Sequence, residues 1–397
     1  GRPGWYRARL VVEGGGGAAN ARTLRFLVLP EDRERRRNGS PRLGYAMSDW
    51  RVADLPRIAD VLDELDPGIV EFSIWPEAND EIGSTDAIAS LKSTLARQRS
   101  NYREPVLAID RIHGGLADAA RIAPTEVRAA VLGETSLVRT SLESWFDRFG
   151  TIVDRWRIPG TVRSGREPVA LRALMQVLIA DPVLSVDRTP GGWSPQWADE
   201  TCLLATDDLS ASAMTGLFDQ AGTMHGSIRI APPPLEWRPR DRVDAMSRRL
   251  LAAWRGGAGQ LVLPWDATHG PDPAMLAWTG LAPALSGRRF GGVVPTPPTA
   301  HCWIATDGRT AEFVVWSDRL DEIEVVRLPV GVDRVELIDL DGVVRPVTTS
   351  DGMLDLEVGS TPIRVRGISR ITADLVAGLH FDSSGVDLAA GPGTVEL

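Results

Sequence analysis

Short apolar runs alternate with longer amphipathic segments over residues 43–285 of the chain. In the amphipathic segments, apolar residues recur every three or four positions, which is the spacing of one helix face; Leu55, Ile58 and Leu62 are an example. The apolar runs have the length of β-strands. The predicted strands are LGYAM (43–47), GIVEFSIW (68–75), PVLAID (105–110), IVDRWRI (152–158), VLSVD (183–187), TCLLAT (201–206), GSIRIA (226–231) and QLVLPW (260–265).

Strands that alternate with helices predict parallel β-α units. Eight such units within about 240 residues match the size of a closed (β/α)8 barrel. The sequence therefore predicts an α/β fold with a TIM barrel over residues 43–286. An open doubly wound sheet is the alternative, although no Gly-rich phosphate-binding turn follows any predicted strand.

Both flanks of the barrel have β-type patterns. At 1–30, WYRARLVV and TLRFLVLP flank a Gly-rich turn, which predicts a β-hairpin. Because two strands alone are marginal in water, we expect this hairpin to be part of a truncated or shared β-sandwich. Residues 287–370 hold short alternating runs between Asp-Gly, Gly and Pro turns, which predict an all-β sandwich. Residues 371–397 resemble the start of a further β module.

Composition excludes several classes of function. The net charge of -9 and the pI near 5.2 argue against a nucleic-acid partner, which needs a clustered positive field. No apolar run reaches the eighteen residues of a membrane span. Cys202 and Cys302 lie far apart with no CxxC or His-rich spacing near either, so the sequence predicts no metal site, disulfide framework or cofactor. The oligomeric state stays open.

Polar and aromatic residues follow the predicted strands at their carboxyl ends. In a barrel these positions converge on one mouth, where the functional residues lie. Carboxylates and arginines bind hydroxyl groups, and indole rings stack on sugar rings, so the predicted ligand is a carbohydrate. The predicted binding residues are Trp50, Trp75, Asp110, Arg111, Asp187, Arg188, Trp265 and Asp266.

Glycoside hydrolysis requires two carboxyl groups across the scissile bond. Glu236, on the loop after the seventh strand, is the predicted catalytic residue on one side. Asp207 and Asp208, after the sixth strand, are the candidates for its partner, with Asp187 as a further option. Either Asp of the 207–208 pair can equally be the N-cap of the following helix.

Several segments together resemble the β-xylosidase and iduronidase type of retaining glycoside hydrolases. The segments are MSDWRVADLPRIADVLDELDPGIVEFSIWP, RRLLAAWRGGAGQLVLPW, VELIDLDGVVRPV and STPIRVRGI. The resemblance covers residues 43–368. It implies a barrel followed by a sandwich, activity on a polysaccharide, and an exported or cell-envelope location in a bacterium.

The resemblance also implies an acid/base Glu after strand four, within Asn-Glu, and a nucleophilic Glu at the end of strand seven. This chain has WRIPGT at 156–161, with neither Asn nor Glu, and its Glu236 follows strand seven late. Two functions therefore stay open: a glycoside-hydrolase-like protein with an altered site, and a catalytically inactive glycan-binding or scaffold protein. A metal-dependent hydrolase would need more clustered histidines than His113 and His269.

Overall fold

The computed structural model describes twelve stretches of the chain. They are residues 3–13, 19–30, 39, 41–76, 84–127, 136–158, 169–188, 198–207, 209–221, 226–267, 270–319 and 322–378.

Eight parallel strands close into a barrel, which confirms the predicted fold class. The ring closes between the last strand and the first, where Leu261 pairs with Leu43. Counted from the first barrel strand, the eight are β3 (Arg42–Asp49), β4 (Ile69–Ser73), β5 (Glu104–Ala108), β6 (Arg155–Ile158), β7 (Val183–Arg188), β8 (Glu200–Ala205), β9 (Ser227–Ile230) and β10 (Gln260–Asp266). All eight coincide with runs predicted from the hydrophobic pattern.

Helices cover the outside of this barrel. The barrel helices in the described part of the chain are α1 (Leu55–Leu65), α2 (Thr85–Ser100), α3 (Gly114–Ala120), α4 (Ser136–Phe149), α5 (Val169–Leu178), α6 (Ala211–Ala221), α7 (Pro239–Arg255) and α8 (Ala274–Leu285). Helix α1 shows how the sequence specifies them: Pro56 lies in its first turn, its predicted apolar stripe is buried, and Asp66 ends it in a left-handed conformation with φ 49°.

Within each barrel strand the residues alternate between two environments. On β7, Leu184 and Val186 belong to the apolar cluster between the strands and the helices. Ser185 and Asp187 have the opposite parity, so they face the interior of the barrel. The same alternation gives the interior its polar lining.

A sandwich follows the barrel, as predicted for 287–370. Its strands are β11 (Arg289–Val293), β12 (Ala300–Thr306), β13 (Ala311–Ser317), β14 (Glu324–Pro329), β15 (Arg334–Ile338), β16 (Val344–Thr348), β17 (Met353–Val358) and β18 (Ile363–Arg366). The strand order β11-β12-β13-β18-β15-β16 forms one sheet, and β14-β17 forms the other. A separate apolar cluster, including Phe313 and Leu356, fills the space between them. Strand β11 was not anticipated from the sequence, because its Gly-Gly pair interrupts the apolar pattern.

A buried charge cluster joins the barrel to the sandwich. Glu312 accepts from Arg364 Nη2 at 2.8 Å and forms an ion pair with Arg288 Nη1 at 2.7 Å. All three side chains are almost fully buried. Gly280 of α8 lies so close to the sandwich that an added Cβ would stand 2.4 Å from the carbonyl oxygen of Leu340. Only glycine fits at this contact.

The N-terminal hairpin consists of β1 (Gly4–Glu13) and β2 (Ala19–Val28). In the described residues it stays two-stranded and packs on the barrel, where Trp5 donates to the carbonyl oxygen of Pro271 at 3.0 Å. Leu27 and Leu29 contact the barrel core, so the hairpin buries apolar surface against the barrel; its membership of a larger sandwich stays a prediction.

Arg370–Gly378 forms helix α9 at the start of the range for which a further β module was predicted, and that module stays a prediction. The helix buries Ala373 and Val376 against the sandwich, so an apolar stripe at helical spacing dominates there. Residues 379–397 lie outside the described residues. No helix in the described part of the chain is long and apolar enough to cross a membrane.

Candidate functional site

A network of charged side chains fills the interior of the barrel toward its carboxyl end. Glu71 of β4 accepts from Arg157 Nε of β6 at 3.0 Å and also from Arg229 of β9. Strands β4 and β9 are three places apart around the ring, so their contact crosses the interior. Barrel interiors are usually packed with branched apolar residues, and here long arginine side chains take that volume.

Arg157 holds two further carboxylates. Its Nη1 donates to Asp187 Oδ2, and its Nη2 donates to Asp110 Oδ1. Asp110 follows β5 at the carboxyl end and its side chain is 23% exposed, while that of Asp187 is 4% exposed. One guanidinium therefore contacts carboxylates from strands β4 and β7 and from the end of β5. We call these five residues, Glu71, Asp110, Arg157, Asp187 and Arg229, the interior network.

Burial and charge shift the pKa values of the interior network in different directions. Burial raises the pKa of Asp187 to about 6, although the neighbouring Arg157 opposes the shift. Burial alone would lower the pKa of Arg157, but the carboxylates of Asp110 and Asp187 raise it above its usual range. Burial lowers the pKa of Arg229 to about 10 in spite of the adjoining Glu71, so this guanidinium is still charged at neutral pH.

One carboxylate oxygen of Asp187 accepts no hydrogen bond from an N–H or O–H group. Asp187 Oδ1 is buried away from nitrogen and oxygen donors, and the neighbouring thiol of Cys202, opposite Asp187 in the pairing of β7 with β8, interacts with this carboxyl group. Burial raises the pKa of the Cys202 thiol to about 12, so the thiol is protonated at neutral pH. Because the thiolate is the reactive form of cysteine, Cys202 is not positioned to act as a nucleophile.

A second charge cluster lies at the amino end of the interior. Arg155 of β6 forms ion pairs with Glu104 at the start of β5 and with Glu200 at the start of β8. Glu104 also pairs with Arg42 at the start of β3. Salt bridges thus extend along the barrel axis, from the amino ends of the strands to the interior network.

The structure places the three predicted tryptophans in packed positions. Trp50 is fully buried, donates to the carbonyl oxygen of Ser73 at 3.0 Å and packs edge-on against Phe72. Trp75 is also buried in the core. Trp265 has the outward parity of β10, packs against Tyr45 and donates to the carbonyl oxygen of Gly270 at 3.1 Å. None of the three presents an open ring face at the barrel mouth.

The predicted catalytic carboxyls occupy exposed positions. Asp207 is exposed directly after β8, and Asp208 lies outside the described residues. Glu236 is exposed in a turn beyond β9, because Arg242 of α7 donates to the carbonyl oxygen of Pro233 and fixes the preceding prolines against the helix. No hydrogen bond or ion pair of the described residues joins Asp207 to Glu236, and their catalytic roles stay predictions.

The remaining predicted residues lie at strand ends around the mouth. Arg188 ends β7, Asp266 ends β10 and Arg111 follows β5; each is partly buried. Of the predicted set, the structure brings Asp110 and Asp187 together through Arg157. In the described part of the chain, no group of three or more His, Cys, Asp or Glu side chains is arranged to hold a metal ion.

Glu71, Arg157 and Arg229 were not among the predicted site residues, because they lie within strands and the prediction considered strand ends. Each is a charged residue next to buried apolar positions within a strand, in IVEFS, RWRI and SIRI. A charge in the middle of a buried strand needs a partner, and period-two alternation places all three in the interior. That signal was present in the sequence and could have identified the network.

The interior network can bind polar groups, but its carboxylates are already engaged. All three carboxylates contact arginine, so proton transfer from any of them must compete with an ion pair. Asp110, the most open acceptor, and Arg229, whose side chain is 13% exposed, can offer an acceptor and a donor to a ligand at the mouth. Such a pair suits hydroxyl groups.

Solved structures similar to this chain are glycoside hydrolases. A family 39 glycoside hydrolase from the gut symbiont Bacteroides cellulosilyticus WH2 matches with a TM-score of 0.62 and 12% identity, over 93% of this chain and 88% of that one. A family 30 endoxylanase from Clostridium papyrosolvens C71 matches with a TM-score of 0.55 and 8% identity, over 85% and 98%.

The family 30 xylanase Xyn30A from Clostridium acetobutylicum matches with a TM-score of 0.51 and 10% identity, over 84% of this chain and 98% of that one. The sequence matches no protein-family model and no curated protein. At these identities the similarity establishes the fold, a divergent form of the barrel-and-sandwich architecture that the sequence motifs indicated.

Proposed function

We propose that the protein binds a carbohydrate chain at the carboxyl-end mouth of the barrel, as a glycoside-hydrolase-like protein whose site departs from that of the retaining enzymes. The observation that carries this function is the position of Arg157 and Arg229. They lie on barrel strands four and seven, the strands from which retaining enzymes of this type take their two Glu residues. Here those strands supply cations that hold Glu71 between them.

Binding without the usual two-carboxylate chemistry follows from the ion pairs. A retaining mechanism needs one protonated and one free carboxylate on either side of the scissile bond. In the interior network every carboxylate faces a guanidinium, and Asp110 is the most open. Asp110 and Arg229 instead provide hydrogen-bonding partners for sugar hydroxyls, and Arg111, Arg188 and Asp266 are further candidates at the rim.

One observation favours hydrolysis as a second candidate. Asp187 has a pKa of about 6 and shares the Arg157 guanidinium with Asp110, so the two carboxyls differ in environment. In that case Asp187 would donate a proton to the leaving oxygen, and Asp110 would activate the attacking water or attack directly. The 4% exposure of Asp187 makes contact with a leaving group difficult, and for this reason we place binding first.

Titration with soluble polysaccharides, xylan first among them, tests the proposal when it is combined with an assay for released reducing ends. We expect saturable binding, no release above the blank, and binding at least about tenfold weaker for Asp110→Asn, since a hydrogen bond to a charged group contributes about 1.5–3 kcal/mol. Asp181→Asn, an exposed carboxyl before β7, is the control and should bind as wild type.

Two results would change this view. Absence of binding to every polysaccharide in the panel would refute glycan binding at the mouth. Release of reducing ends that disappears in both Asp110→Asn and Asp187→Asn would establish the hydrolytic alternative instead.

A further inference from the structure

A groove runs between the N-terminal hairpin and the first barrel helix, on the outer side of the barrel. It has a volume of about 630 Å³, which lies within the range of ligand-binding cavities. One wall consists of Arg25, Phe26 and Leu27 of β2 with Leu29 just beyond the strand, the other is α1, and the floor includes Trp265 and Met275. We call it the hairpin groove.

The free edge of β2 faces this groove. In the described residues β2 pairs only with β1, so its other edge has unpaired backbone donors and acceptors. Phe26 and Leu27 have opposite parity on the strand, and both line the groove. Side chains of neighbouring strand residues point to opposite faces, so a cavity that both Phe26 and Leu27 line lies along the edge of the strand.

The opposite wall has an apolar stripe between charged residues of α1. Ile58, Val61 and Leu65 of α1 line the groove. The helix from Arg57 to Leu65 spans about 12 Å at 1.5 Å per residue. The part of β2 from Arg25 to Val28 spans about 10 Å at 3.3 Å per residue. A strand of about four or five residues would therefore fit along both walls.

The charges at the rim indicate the kind of segment that fits. Asp60 and Asp63 share Arg97, which donates to them at 2.9 and 2.8 Å, and Asp63 is also paired with the buried Arg103. Arg25 and Arg57 have no acidic partner among the described residues and stand on opposite walls. Asp54 and Glu64 are also at the rim. A bound segment should therefore have an acidic side chain beside Arg25 or Arg57, but it should not be acidic along its whole length.

We propose that the hairpin groove binds an extended peptide segment, which adds a third strand to the hairpin through the free edge of β2. Alternate side chains of the segment are apolar and pack on α1 and Trp265, and at least one is acidic and contacts Arg25 or Arg57. Strand addition of this kind takes affinity from the backbone and specificity from alternate side chains. The added strand would also form hydrogen bonds with the backbone groups at the free edge of β2. This binding is independent of any glycan at the barrel mouth.

The test uses the full chain and a fluorescently labelled peptide, acetyl-Glu-Val-Thr-Val-Thr-Val-Glu-amide, followed by fluorescence anisotropy. We expect saturable binding, at least tenfold weaker for Val61→Arg, which fills the groove from a partly exposed position. An analogue with N-methyl groups on alternate backbone nitrogens should not bind, because it cannot form the ladder. Arg345→Glu, on the exposed edge strand β16, is the matched control and should bind as wild type.

A charge exchange gives a second readout if Val61→Arg does not fold. The peptide with Lys in place of both Glu residues should bind wild type about three- to fivefold more weakly than the acidic peptide, and Arg57→Glu should reverse this preference. The proposal is overturned if neither peptide binds at millimolar concentration or if Arg57→Glu leaves the preference unchanged. Equal binding of the N-methylated analogue would also overturn it, since the groove would then be a cavity for apolar ligands.

Discussion

Asp187 is the residue at which the interior network predicts the largest dependence of stability on pH. Its pKa in the folded protein is about 6, against 3.8 for the ordinary carboxyl. A folded-state pKa above the unfolded value means that the folded protein binds the proton more tightly. The stability that this proton contributes is present below about pH 4 and is lost as the pH rises through about 6.

The magnitude follows from the two pKa values. Each tenfold change in proton affinity corresponds to about 1.4 kcal/mol, so the change from 3.8 to about 6 corresponds to about 3 kcal/mol in total. Between about pH 4 and about pH 8, about 2.4 kcal/mol of this amount is lost. Asp187→Asn cannot bind this proton, so its stability relative to wild type should rise by the same amount over that interval.

Urea unfolding of wild type and Asp187→Asn at several pH values measures this difference. Asp187→Asn also removes the ion pair with Arg157, which shifts the curve of stability against pH as a whole. The change of the difference with pH therefore reports the proton bound by Asp187. Asp181→Asn, with an exposed carboxyl, should stay within about 0.5 kcal/mol of wild type throughout. A difference between wild type and Asp187→Asn that is flat from about pH 4 to about pH 8, or that falls, would refute the reasoning.

Three further predictions concern other parts of the chain. Glu312→Gln should lower the free energy of unfolding by about 3–5 kcal/mol, because two buried arginines lose their shared carboxylate. Glu336→Gln, in a surface ion pair, should change it by less than about 1 kcal/mol. Thermal unfolding of the two variants measures this difference, and equal effects would contradict the account. Gly280→Ala should destabilise the protein by about 1–3 kcal/mol, because the added Cβ would collide with the backbone of Leu340. Gly216→Ala, at a helical glycine with open space around it, should stabilise the protein by about 0.5–1 kcal/mol. No change in stability for Gly280→Ala would be inconsistent with the close contact. Glu236→Gln should leave polysaccharide binding unchanged because its side chain is exposed beyond the mouth, and a loss of binding or activity in that variant would restore Glu236 to the site.

The hydrophobic pattern was sufficient for the barrel and for most of the sandwich. Each barrel strand combines a buried apolar face with flanking helical stripes, as β7 does with Leu184 and Val186, and both periods are visible in one sequence. Strand β11 and helix α9 were missed because Gly291 and Gly292 interrupt one pattern and the other is a short stripe near the end of the sandwich.

The site was less predictable, because strand ends and strand interiors carry different information. Asp110 and Asp187 were predicted as site residues because they end predicted strands, and in the structure both lie in the interior network. Trp265 also ends a predicted strand, but its parity directs it outward toward the hairpin groove. Which side chains meet across a barrel depends on strand tilt and register, and the pairing of Glu71 with Arg229 could not be derived from spacing alone.

The structure of the protein in complex with the polysaccharide fragment that it binds most tightly tests the central claim most directly. We expect a sugar residue at the carboxyl-end mouth, with hydroxyl groups within hydrogen-bonding distance of Asp110 and Arg229 and with the glycosidic bonds intact. A fragment bound only elsewhere on the surface, or one cleaved at the mouth beside Asp187, would contradict the account.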